Sequence, residues 1–131
     1  MNPKKFSIRL ISLIFLIFLL NYLATEFHWY SSIWYFDMIM HVLGGIWLGL
    51  ASIYLFPLKE DSFKFIFKIF LIILLVGVGW EIFEILVDKV ITQNSFNTLD
   101  TLSDIFFDLS GGCFAILYFL KRTMPIKGNT V

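Results

Sequence analysis

Residues 69–84 read Ile69-Phe70-Leu71-Ile72-Ile73-Leu74-Leu75-Val76-Gly77-Val78-Gly79-Trp80-Glu81-Ile82-Phe83-Glu84. The first ten carry no polar side chain, so a helix built from them has no face suited to water. The same run then delivers two carboxylates, Glu81 and Glu84, and returns at once to Ile85-Leu86-Val87. With its flanks the stretch runs from about Phe63 to Ile91, and about 20 mostly apolar residues suffice to cross a bilayer. A carboxylate inside such a span costs about 3 kcal/mol on insertion scales, so its presence points to a function.

Three further, shorter segments have the same character: about Phe6 to Ala24, Asp37 to Phe56, and Asp104 to Leu120. Breakers separate them, at Pro57-Leu58-Lys59-Glu60-Asp61, at Thr92-Gln93-Asn94-Ser95, and at Lys121-Arg122 with Pro125. The whole 131-residue chain is 59% hydrophobic and 15% charged, with a mean hydropathy of +0.84. Soluble domains are about a quarter charged. The fold class expected is therefore an all-α membrane protein, one domain over residues 1–131 with four transmembrane helices in a lipid bilayer. The first segment could act as a signal peptide, with Lys4 and Lys5 as its basic start. Its long apolar run and the lack of a small-x-small cleavage site favour a retained span. Ten basic residues balance ten acidic ones. A nucleic-acid binder would carry a basic excess, so no nucleic-acid partner is expected. Cys113, the single cysteine, has no partner for an intramolecular disulfide.

Charge also predicts orientation. Four spans put both termini and the 57–62 loop on one side, with Lys4, Lys5, Arg9, Lys59, Lys64, Lys68, Lys121, Arg122 and Lys127. The other side carries Lys89 alone. The positive-inside rule then predicts a multi-pass protein of the cell membrane with both termini cytoplasmic. The aromatic-rich stretch from Glu26 to Phe36 falls on the outer side, as an interfacial anchor or a lid.

The second and fourth spans share a pattern. Asp37-x-x-x-His41-x-x-Gly44-Gly45 aligns with Asp104-x-x-x-Asp108-x-x-Gly111-Gly112, 67 residues later. A two-plus-two internal repeat is expected, its halves parallel about an axis along the membrane normal. Both motifs then start at the outer surface, and their glycines let the two backbones approach closely.

This arrangement predicts a site. Asp37 and His41 lie one turn apart, as do Asp104 and Asp108, with Asp100 continuing that stripe outward. At about 100° per residue, Glu81, Glu84 and Asp88 share one face, and Gly77 precedes Glu81 on it. Asp37 and Asp104 also suit helix capping. Clustered carboxylates repel one another unless something positive enters, and a divalent cation would serve. Oxygen ligands with one imidazole suit Mg²⁺, Mn²⁺, Fe²⁺ or Zn²⁺. Asp37, His41, Asp104 and Asp108 are the expected metal ligands, and Glu81 or Glu84 the expected catalytic base.

Asp37-x-x-x-His41-x-x-Gly44, Trp80-Glu81-x-x-Glu84 and Asp100-Thr101-x-x-Asp104-x-x-x-Asp108-x-x-Gly111 together resemble the YjdF-like and VanZ-like small polytopic membrane proteins. The resemblance spans about residues 35–115. In those families Lys often follows the first Asp; here Met38 stands there. VanZ-like members are linked to glycopeptide (teicoplanin) resistance, so the resemblance implies a membrane module with an acidic site, and supplies no reaction. The expected function is a metal-dependent module acting on a lipid or envelope-precursor substrate at the outer face. A proton- or cation-coupled transporter, or a non-catalytic scaffold, are the alternatives.

Overall fold

The computed structural model describes residues 2–56 and 62–123. The breakers expected at residues 57–61 and at Pro125, with Lys59 and Lys127, lie outside them. Among these residues five α-helices follow in order: α1 (Pro3–Glu26), α2 (Trp29–Ser32), α3 (Phe36–Leu55), α4 (Ser62–Val87) and α5 (Thr98–Thr123). A π-helical turn, Asp88–Thr92, extends α4. No strand occurs among the described residues. Among the described residues four helices are long and apolar enough to cross a membrane: α1, α3, α4 with its π-helical extension, and α5.

Local chemistry explains the helix ends. Asn2 caps α1 by accepting from the Lys4 amide at 3.0 Å, with Pro3 in the first turn where its missing N–H costs nothing. Phe56, the residue before Pro57, is extended (φ −110°, ψ 96°), because a following proline ring disfavours the helical region. Asn97 caps α5 by accepting from the Leu99 amide at 3.2 Å. The fourth span therefore starts at Thr98, ahead of the expected Asp104. Asp104 lies well inside the helix and does not cap it, and Asp37 sits in the first turn of α3 behind an N-cap at Tyr35.

Pair contacts set the directions. Trp47 Nε1 donates to the Leu10 carbonyl at 3.0 Å and Ser7 Oγ donates to Tyr54 Oη at 2.9 Å, so α1 runs antiparallel to α3. Gly45 meets Asp108 and Gly49 meets Ala115, so α3 and α5 run parallel. Gly77 faces Asp108 and Ile73 faces Gly112, so α4 is antiparallel to α5. All described cations except Lys89 thus gather at one end of the bundle.

The buried stripes of the three central helices share one axial order. Along α4 it is Phe65, Ile69, Ile73, Gly77, Glu81. Along α5, taken from its C-terminal end, it is Phe119, Ile116, Gly112, Asp108, Asp104, and along α3 it is Ile53, Gly49, Gly45, His41. Apolar side chains, including Phe6 and Leu10 of α1, pack the basic end. Glycines form the middle layer, and ionisable groups occupy the far end. α1 is otherwise peripheral, with Ile8, Phe15 and Phe18 exposed, as lipid-facing side chains are.

Candidate functional site

The glycine layer brings the polar ends together. A Cβ on Gly45 would run into the Asp108 carbonyl, and one on Gly111 into the Val42 carbonyl and the Ile46 amide. Only hydrogen fits at either position, so the α3 and α5 backbones touch just below the first polar turn. The expected equivalence of the repeats breaks at this level. α3 presents the second glycine of its pair to α5, whereas α5 presents the first of its own to α3. Gly112 instead faces Ile73 of α4, and Gly44 faces open space.

Above this contact, His41 of α3 lies between the acids of α5. Asp108 Oδ1 is 3.1 Å from His41 Nδ1. A carboxylate accepts, so Nδ1–H donates to it; in the neutral imidazole the lone pair is then on Nε2. Nε2 faces Asp37 Oδ1 and Asp104 Oδ1, each at 3.8 Å. Gly77 of α4 makes room for the Asp108 carboxylate: a Cβ there would sit 2.8 Å from Oδ2.

α4 supplies the third wall. Glu81 is 4% exposed, and its Oε1 has no hydrogen-bond partner among the described residues. Glu84 is half-buried and accepts from Trp80 Nε1 at 2.8 Å, one turn away on the same helix. His41, Glu81, Glu84 and Asp104 each offer one ligand atom, all within 4.8 Å of one another. Donors around one ion at 2.0–2.6 Å are separated by at most twice that radius, so this spacing suits a single small cation. Asp37, Asp100 and Asp104 form a second such group, sharing Asp104 and nearer the surface.

The six residues singled out from the sequence gather at this end of the bundle: His41, Glu81, Glu84 and Asp104 converge, and Asp37 and Asp108 flank the imidazole. Glu81 and Glu84, either of which the sequence offered as a base, converge with His41 and Asp104. Asp108, expected as a ligand, belongs to neither group of converging atoms and holds the other side of the imidazole. Asp100 joins the cluster; its position one turn before Asp104 was the available signal. Asp88 lines a cavity together with Glu81 and Glu84. It opens the π-helical turn and accepts from Thr92 Oγ1 at 3.0 Å, exposed.

The aromatic stretch before α3 folds over the same end. Tyr30 Oη donates to Asn21 Oδ1 at 2.7 Å, and its ring meets Phe36 edge-on at 5.0 Å between centroids. Burial raises the Tyr30 phenol above its ordinary value, and the nearby Asp37 and Glu84 charges raise it further.

The chain belongs to the family described as predicted membrane protein (DUF2238), whose model matches residues 4–124. No curated protein and no solved structure matches it.

Proposed function

We propose that this multi-pass membrane protein binds a divalent cation at the outer end of its bundle and acts there, as a metal-dependent module, on a lipid or envelope-precursor substrate. The observation that carries the reading is Glu81 Oε1. A carboxyl oxygen buried without a partner costs about 1–3 kcal/mol, and more when ionised. It lies beside three other donors at ion-coordinating spacing, and a cation among them would remove the penalty. The Asp108–His41 pair adds support, since metal-bound histidines usually donate their other ring N–H to a carboxylate, which fixes the tautomer.

His41, Glu81 and Asp104 would hold the ion, with Asp37 and Asp100 at the rim and Asp108 orienting the imidazole. Three or more oxygens with one imidazole suit Mg²⁺, Mn²⁺, Fe²⁺ or Zn²⁺. Once bound, such an ion polarises a phosphoryl or carbonyl oxygen or activates water. Glu84, half-buried and held by Trp80, is the base in this reading.

The nine-to-one charge split favours a cytoplasmic basic end and an outward-facing site. The motif likeness to YjdF-like and VanZ-like proteins enters here as support for an envelope substrate. A transporter is the weaker reading, because beneath Asp108 and Glu81 the buried stripes continue as glycine and hydrocarbon, with Ser52 the one polar exception among the described residues. A scaffold leaves the buried Glu81 without a purpose. The test is elemental analysis of protein purified without chelator. Wild type should carry stoichiometric divalent metal, and Glu81→Gln and His41→Ala should carry little. Metal-free wild type that also takes up none on dialysis defeats the proposal.

A further inference from the structure

The end of α4, the π-helical turn, residues 93–97 and the first turn of α5 enclose a cavity of about 330 Å³. Glu81 and Glu84 belong to its wall, so it opens onto the carboxylates of the candidate cation site. Asp88, Lys89, Asp100 and Thr101 line the remainder. We infer that this cavity receives the phosphate of a membrane-lipid headgroup, held between the cation and the Lys89 ammonium. The inference rests on the metal reading above and adds the substrate class to it.

Charge is the first argument. Four carboxylates face one lysine, so an anion is repelled until a cation neutralises the inner wall. Phosphate oxygens are hard donors of the kind Mg²⁺ and Mn²⁺ accept alongside carboxylates. Among the described residues Lys89 is the single lysine or arginine at this end of the bundle, and lysine binds phosphate as a point charge. It forms no ion pair among the described residues. Its neighbour Asp88 is engaged by Thr92, which leaves the ammonium available to a ligand.

Size and surroundings supply the second. The volume lies at the small end of ligand sites and suits a headgroup rather than a whole lipid. Around the charged cavity stand exposed apolar side chains: Val90 (74%), Ile91 (73%), Phe96 (59%) and Leu99 (79%). A polar cavity with a hydrocarbon rim matches a molecule that is charged at one end and apolar at the other. Free phosphate would have no use for the rim.

The test is thermal melting of the full chain in detergent after chelator treatment, with phosphatidic acid, diacylglycerol or inorganic phosphate, each with and without Mn²⁺. Phosphatidic acid should raise the melting point beyond Mn²⁺ alone, and only when Mn²⁺ is present; diacylglycerol should not. Lys89→Gln should keep the Mn²⁺ shift and weaken the lipid's affinity by about tenfold, the worth of one charge-assisted contact. If phosphatidic acid adds nothing to a normal Mn²⁺ shift, the inference falls and the metal reading stands. Equal stabilisation by inorganic phosphate overturns the lipid assignment. Lipid binding that ignores Mn²⁺, or survives Lys89→Gln unchanged, overturns the proposed clamp. A wild type that Mn²⁺ does not stabilise removes both readings.

Discussion

His41 and Asp108 stand 67 residues apart in the chain, the period of the sequence repeat, and meet at 3.1 Å across the α3–α5 contact. They are equivalent positions of the two halves. Asp37 and Asp104, likewise equivalent, flank the far side of the same imidazole at 3.8 Å each. A parallel pair of motifs places like positions opposite one another, and the substitution of His for Asp in one copy turns a repulsive carboxylate pair into a hydrogen bond. The acids left over then face Nε2.

This geometry assigns Asp108 to orienting the histidine. Asp108→Ala should weaken divalent-ion binding by about 10- to 100-fold, the usual cost of losing such a partner. Asp108→Asn, which can still accept from Nδ1–H, should recover much of it. Calorimetric titration with Mn²⁺ measures both. An Asp108→Ala protein that folds and binds like wild type would show that Asp108 does not position the ring.

The glycines of the middle layer separate by what they face. Gly45→Ala puts a methyl into the Asp108 backbone, which cannot give way, and should cost about 1–3 kcal/mol despite the better helix propensity of alanine. Gly44→Ala meets nothing within 4 Å and should be neutral or up to about 1 kcal/mol stabilising. Melting in one detergent compares them, and equal effects would mean that α3 is rotated from the position described.

Glu81 and Glu84 should behave as crowded carboxylates rather than as structural supports. Without metal, Glu81→Gln and Glu84→Gln should be as stable as wild type or more so, since each removes a charge from an acidic pocket. With Mn²⁺ or Zn²⁺, wild type should be stabilised by mass action, and both variants much less. Unfolding of either variant in the absence of metal would mark that side chain as a structural acceptor instead.

Tyr30 provides a pH test outside the spans. Its raised phenol pKa means that the folded state holds the proton more tightly than the unfolded one. The associated stability is complete below about pH 10, the unfolded value, and is lost as pH rises through the folded value. Alkaline difference absorbance should show a late-titrating tyrosine that is missing in Tyr30→Phe. In Asp37→Asn, with one repelling charge removed, that component should move to lower pH. A component that stays in place would put Asp37 too far from the ring to act on it.

Orientation is tested by reporter fusions. A reporter after Thr123 or within the 57–62 loop should score cytoplasmic, and one near Ser95 external. An external C-terminal reporter would place the acidic end in the cytoplasm and remove the case for an outer-face substrate.

Much of this protein follows from one helix at a time. Unbroken apolar runs specify spans because a bilayer offers no partner for an exposed backbone group, and the 3.6-residue period assigns Glu81 with Glu84, Asp37 with His41, and Asp104 with Asp108 to common faces. Charge asymmetry in the loops then sorts the ends. What period and composition leave open is how each helix is rotated about its axis against its neighbours. Packing decides that, at the scale of one hydrogen against one carbonyl: Gly45 on Asp108, Gly111 on Val42, Gly77 beside the Asp108 carboxylate. That rotation made Asp108 the partner of Nδ1 and set Asp104 beside both Asp37 and Asp100. It also left Glu81 Oε1 buried without a partner among the described residues, because tertiary packing alone decides which atom is covered and what stands opposite it.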